Sequence, residues 1–169
     1  MIRIRQALSH DVQSVFTLIQ HYAEQQAMLP RTVEDVRESV SDFLVAEEKG
    51  RLLGCGALKL YNREVAEIRS LCVAPGIKRR GVGRTLIERL LREAEQLGLT
   101  TVFALTLTPE FFLKCGFRLN ARENFPIKIA HDCLNCALYL RCQEKTVAIR
   151  IRLRRGPKAE LAQPATVLA

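Results

Sequence analysis

Residues 73–86 read VAPGIKRRGVGRTL. An apolar run breaks at Pro75 and Gly76, three cations follow, and glycines at 81 and 83 open a new apolar pattern. Glycines so placed let the backbone approach a ligand closely, and a helix starting there adds unpaired N–H groups and the positive end of its dipole. The stretch from Arg79 through Arg80, Gly81, Val82 and Gly83 to Arg84 is therefore a candidate phosphate cradle. The alternative is an ordinary glycine turn with solvated cations. The Walker pattern fails because no Gly-Lys-Ser/Thr ends the loop, and the dinucleotide fingerprint fails for want of a third glycine. Just upstream, strand alternation puts Glu67, Arg69 and Leu71 on one face and Ile68 and Ser70 on the other. A carboxylate and a guanidinium thus share a side, either at a site or as an exposed ion pair. His131, Cys133, Cys136 and Cys142 supply enough ligands for tetrahedral zinc. The reading adopted is a packed cluster of reduced thiols with no metal, and Cys55, Cys72 and Cys115 read as core.

The elements that must position these residues alternate between strand and helix. The expected order is a strand at 2–7, a helix capped by Ser9 and ending near Gln26, a shorter helix at 33–40, and a strand at 43–47. A turn at Lys49-Gly50 then leads to strands at 52–61 and 65–73. Next come a helix at 83–97 stopped by Gly98, a strand at 102–107 buried on both faces, and a short helix at 109–115 closed by Gly116. A last strand runs over 146–153, giving a domain at 1–155 and a disordered tail at 156–169.

The chain has 169 residues, 48% hydrophobic and 26% charged, the balance of one globular domain able to bury a core. No run reaches the length of a membrane span, and MIRIRQAL lacks the pattern of a signal peptide, so the expected location is cytoplasmic. The net charge of +8 favours anionic partners.

SLCVAPGIKRRGVGRTLIERLL resembles the acetyl-coenzyme A motif of the GNAT N-acetyltransferases: Arg or Gln, two residues, Gly, one residue, then Gly or Ala. Lys78 stands at the Arg/Gln position. PEFFLKCGF resembles that family's later helix and turn. MLPRTVEDVRESVSDFLVAEE, AEIRSLCVAP and FPIKIAHDCLNC resemble the short, single-domain N-acetylglutamate synthases, so the resemblance spans roughly residues 2–149. It implies an α/β (α+β) GNAT fold: a mixed, mostly antiparallel sheet splayed at the acetyl-CoA site and flanked by helices.

The reaction so implied moves an acetyl group from acetyl-CoA to an amine, most simply the α-amino group of L-glutamate at the entry of arginine synthesis. An ammonium must first lose a proton, and the resemblance assigns that to Glu67. It places the pantetheine arm and thioester oxygen against Leu71, Cys72 and Val73. Phe112 stands where many relatives carry a tyrosine that protonates the leaving thiolate, and Leu107 where the glutamate branch more often has tyrosine. Arg31, Arg69 and Lys128 fall at substrate-side positions, where cations would meet two carboxylates. Other acceptors stay open: a different small amine or a protein amino group. A basic nucleic-acid-binding module using IRIRLRRGPK is the alternative of another class, weakened by the absence of interleaved aromatics. The expected partner is a small amino-acid substrate, with no membrane; nucleic acid is not the expected partner, and a homodimer stays open.

Overall fold

The computed structural model describes residues 1–77 and 80–152. A seven-stranded mixed sheet forms its centre, with β1 (Arg3–Gln6), β2 (Phe43–Glu48), β3 (Arg51–Leu60), β4 (Val65–Val73), β5 (Thr101–Thr106), β6 (Arg118–Asn120) and β7 (Lys145–Arg150). The spatial order is β1-β2-β3-β4-β5-β7-β6, and the β4–β5 pair is parallel while the others are antiparallel.

Two helices pack one face and two the other. α1 (Val12–Glu24) and α2 (Val33–Glu38) bury Val15, Ile19 and Val36 against Val45, Cys55 and Ala57. On the opposite face α3 (Val82–Gln96) buries Leu86, Ile87 and Leu90 against Leu53, Ile68 and Val102, and α4 (Pro109–Leu113) adds Phe112. The α3 stripe at spacings of three and four residues is what an amphipathic helix on a sheet requires. Gly98, at φ 75°, ends it with amide bonds back to Glu95 and from Leu99 to Ala94. Lys49 and Gly50, both at positive φ, close a two-residue hairpin between β2 and β3.

Two expectations need correction here. Ser9 does not cap α1: it lies in a 3-10 turn, where the Asp11 carboxylate accepts the Leu8 N–H at 2.8 Å. Strand alternation along β4 breaks at Ser70, whose φ is 52°. Cys55 faces Cys72 and Ala57 faces Arg69, so two steps on β3 span three on β4. This bulge keeps Glu67 and Arg69 on the α1 side but swings Leu71 into the cluster beneath α3. A short helix, α5 (Pro126–His131), and β6 were not foreseen. Leu153 and the tail at 156–169 lie outside the described residues. Among the described residues no helix is long and apolar enough to cross a membrane.

The first strand is tied down by charge. Arg5 donates to Asp11 at 2.7 and 3.0 Å and to Glu47 at 2.7 and 3.0 Å. The Arg5 bonds hold the Asp11 carboxyl below its ordinary value, outweighing its burial. A depressed folded value contributes stability above the unfolded value of about 3.9 and loses it as pH falls through the folded one. Asp11→Asn is therefore expected to lower stability at pH 7 by about 1–3 kcal/mol. The gap to the parent should narrow below about pH 4 in denaturant titrations. A gap constant between pH 7 and pH 3 would refute the assignment.

Candidate active site

A cleft of about 1030 Å³ opens on the sheet where β4 and β5 part. Their parallel pairing covers only Val65–Thr101, Ala66–Val102 and Glu67–Phe103, although both strands run on. Past Glu67, the β4 segment Leu71, Cys72 and Val73 lines the cleft without β5 beside it. Tyr22 of α1 reaches across and donates its hydroxyl to the Val73 carbonyl at 2.6 Å.

The floor continues into the start of α3. Gly81 is its N-cap, at φ 78°, a conformation glycine adopts without penalty. Val82, Gly83 and Arg84 follow as the first helical residues, with no carbonyl one turn earlier inside the helix to accept their N–H groups. A β-carbon on Gly83 would come to 3.0 Å from the Phe111 ring, so the backbone there is packed as closely as glycine allows. The cradle expected at 79–84 shortens at its start: the Arg80 N–H bonds the Ile77 carbonyl, and its guanidinium pairs with Glu48 at 3.2 Å. Arg84 turns its guanidinium to the Lys114 carbonyl at 3.1 Å. Lys78 and Arg79 lie outside the described residues. Phe112 is buried edge-on between Phe111 and Phe117 with part of its ring on the cleft, and it has no proton to give.

Glu67 is 3% exposed, which removes the exposed ion pair with Arg69 as an explanation. Its Oε2 accepts from the Lys128 ammonium at 3.0 Å and from the Tyr61 hydroxyl at 2.8 Å. Lys128 also donates to Asp132 at 3.0 Å, Lys59 donates to both Asp132 oxygens at 2.9 and 3.0 Å, and the Tyr61 hydroxyl contacts Asp132 as well. Burial works against the Lys128 charge, yet the two carboxylates hold its ammonium above the ordinary value. The Asp132 carboxyl, despite burial, is held well below its usual range by Tyr61, Lys59 and Lys128. Lys128 thus spends two donors on carboxylates rather than standing free for a substrate.

Arg31 and Arg69 are arranged differently. Arg31 lies 5.7 Å above the Phe43 ring and donates to Ser39 Oγ at 3.1 Å. Its Nη1, like Nε of Arg69, is buried without a hydrogen-bond partner among the described residues. Burial, and then the Arg69 cation, push the Arg31 guanidinium below its usual value, while the Asp35 and Asp42 charges act on it through space. Two cations with orphaned donors on the cleft wall make a ready site for an anion.

His131, Cys133, Cys136 and Cys142 do not converge. Among the described residues no three His, Cys, Asp or Glu side chains could hold a metal ion, and the six cysteines are free. The His131 ring instead stands 6.2 Å from that of Tyr61.

Tyr61, Lys59 and Asp132 escaped the sequence reading. Lys59 is the register partner of Glu67, and Tyr61 lies two residues further on the same face of the chain. That cross-strand pairing becomes legible once β3 is paired antiparallel with β4. Asp132 was not legible, because it caps the end of a six-residue helix, one turn beyond Lys128, that is too short to leave an apolar period.

Residues 6–117 match the acetyltransferase (GNAT) family. An uncharacterized N-acetyltransferase of Chlorobaculum tepidum is 38% identical over 83% of this chain and 91% of its own length. The amino-acid acetyltransferase of Mycobacterium tuberculosis is 36% identical over 68% of this chain and 67% of its length. That of Neisseria meningitidis serogroup A is 34% identical over 74% of this chain, which spans only 29% of that protein. In solved structures, the Neisseria gonorrhoeae N-acetylglutamate synthase bound to coenzyme A and N-acetyl-glutamate superposes with a TM-score of 0.79 at 27% identity. The match covers 90% of this chain and 35% of that one. The cleft between splayed strands, the glycine-led helix and these likenesses agree, and the chain belongs to the acetyltransferase (GNAT) family.

Proposed function

We propose that the chain transfers the acetyl group of acetyl-CoA to the α-amino group of an amino acid, with L-glutamate the preferred acceptor, as an N-acetylglutamate synthase serving arginine synthesis in the cytoplasm. The observation that carries the acceptor is the pair of orphaned guanidinium donors, Arg31 Nη1 and Arg69 Nε, on the same cleft as Glu67. An acidic amino acid brings two carboxylates, and these donors suit one of them. The names of the amino-acid acetyltransferases above, and the acetylated glutamate held by the gonococcal structure, support this choice.

In this reading Gly81 to Arg84 take the pyrophosphate on backbone amides, and Leu71, Cys72 and Val73 face the pantetheine arm. Glu67 takes a proton from the substrate ammonium. The freed amine attacks the thioester carbonyl, an N–H of the β4 edge stabilises the developing oxyanion, and as the intermediate collapses the nitrogen gives its second proton to water while the C–S bond breaks to release the thiolate. No hydroxyl stands at Phe112, so the thiolate leaves unprotonated or takes its proton from water, which a thiol's acidity permits.

Screening amino acids for coenzyme A release tests the acceptor. Glutamate should react faster than glutamine and other uncharged analogues. Arg31→Gln and Arg69→Gln should each raise KM for glutamate about 10- to 100-fold, the loss of a charge-assisted hydrogen bond, with KM for acetyl-CoA unchanged. Equal rates on an amine without carboxylates would overturn the assignment.

A further inference from the structure

Glu67 is held through one oxygen. Oε2 takes the Tyr61 hydroxyl at 2.8 Å and the Lys128 ammonium at 3.0 Å, whereas Oε1 accepts from none of the described residues. The second contact of the Tyr61 hydroxyl is Asp132 Oδ2, so one proton lies between two carboxylates. Only one of them receives it at a time. Asp132 already has three ammonium hydrogen bonds, two from Lys59 and one from Lys128.

We propose that Tyr61 and Asp132 are positioning residues for acetyl transfer. They hold Glu67 by Oε2, through a hydroxyl proton shared with Asp132, and leave Oε1 as the atom that takes the ammonium proton. The inference rests on Glu67 as the base in the function proposed above.

The surroundings fit this task. The Tyr61 ring stacks on Phe103 at 5.8 Å, Phe103 stacks on Phe125 at 4.2 Å, and the Lys59 ammonium lies 4.8 Å over the Tyr61 ring. The ring is clamped, so the hydroxyl has one place to be. Burial, then the Glu67 charge and the Asp132 bond, push the Tyr61 hydroxyl far above its ordinary value. It therefore remains a donor throughout and is not itself the base. The charged and titratable groups that face Glu67 come from every neighbouring element: Lys59 and Tyr61 from β3 and its end, Arg69 along β4, Lys128 and Asp132 from α5 and its end, and Glu144 ahead of β7. Burial raises the Glu144 carboxyl, with Lys128 opposing and the Glu67 charge adding to the rise. Asp132 accepts from both ammoniums, so that Lys128 divides its donors between the two carboxylates.

The test is the pH profile of kcat/KM for the amino acid in Tyr61→Phe, Asp132→Asn, Glu67→Gln and the double variant Tyr61→Phe/Glu67→Gln. Tyr61→Phe keeps the stacking and removes only the oxygen. It should lower kcat about tenfold and move the acid limb to higher pH, since a donor to the ionised form is gone. Asp132→Asn should move the limb the other way, because a neighbouring negative charge is gone and the hydroxyl proton goes wholly to Glu67. In the Glu67→Gln background, Tyr61→Phe should cost less than about twofold, because a residue acting through another has nothing left to position. Acetyl-CoA titration and a melt confirm that each variant folds; should Asp132→Asn fail, Tyr61→Phe and the double variant carry the test alone. Limbs that do not move, limbs that move together, or a tenfold loss that persists in the double variant would overturn the inference while leaving the base in place. Glu67→Gln at the parent rate and profile would instead remove the base itself.

Discussion

Gly83→Glu is expected to abolish acetyl-CoA binding, by at least about a hundredfold, in a protein that still folds. The position explains both halves of the result. Gly83 is the second residue of α3, where an acidic side chain suits the positive end of the helix dipole, so local stability should not collapse. A β-carbon there meets the Phe111 ring at 3.0 Å, close enough that the ring must give by a few tenths of an ångström. The added carboxylate then enters the space before the helix start, where the proposed pyrophosphate would sit, and like charges at contact repel strongly where water is scarce. Gly81 is a useful contrast. A β-carbon there meets nothing within 4 Å, so its constraint is the φ of 78° alone. Gly81→Ala should cost about 1–2 kcal/mol of stability and disturb binding less. Calorimetric titration with acetyl-CoA, beside a thermal melt, reads both. Unchanged affinity in a folded Gly83→Glu variant would remove α3 from the coenzyme site.

What could be read from the sequence divides along physical lines. The run from β4 through Gly81 into α3 was legible because each part leaves a local mark: a β-rich stretch, a proline break, a glycine able to take positive φ, and an apolar stripe of helical period. The observed boundaries of β4, Val65–Val73, are the expected ones. The bulge at Ser70 was invisible because serine has no special need for φ 52°; the conformation is imposed by β3 pairing on one side and the parting from β5 on the other. Leu71 was accordingly assigned to the wrong face. The partners of Glu67 were hidden for a related reason. Lys128 lies 61 residues away in sequence, and Asp132 joins it only because 126–131 coils into a helix too short to show a period. The HxCxxC pattern had the residue types of a metal site, yet across the 3-10 turn at Cys133–Asn135 and the loop beyond it no three such side chains gather among the described residues. Composition fixes what chemistry a chain has in stock. Long-range pairing decides which of it meets.

The carboxylate at the centre of that pairing gives the most decisive prediction. Glu67→Gln keeps the shape of the side chain and an oxygen to accept from Tyr61 or Lys128, but it cannot take up a proton. If Glu67 is the base, single-turnover acetyl transfer should fall about a hundred- to ten-thousandfold at pH 7. Acetyl-CoA affinity should hardly change, because the coenzyme contacts proposed at Leu71–Val73 and at the start of α3 are untouched. The residual rate should climb with pH across the range where the base-assisted rate of the parent has levelled off, since only amine already deprotonated in solution can then attack. A purely structural role predicts a different pair of readings. Glu67 is buried and bonded to a lysine, so its removal would leave the Lys128 charge without one of its two carboxylates and lower stability by about 3–5 kcal/mol, with the chemical step intact in whatever protein stays folded. The two accounts are separated by measuring the melt and the pH dependence on the same preparation. A destabilised variant that transfers acetyl at the parent rate, with an unshifted profile, would show that the proton leaves by another route and that Glu67 serves only to neutralise Lys128.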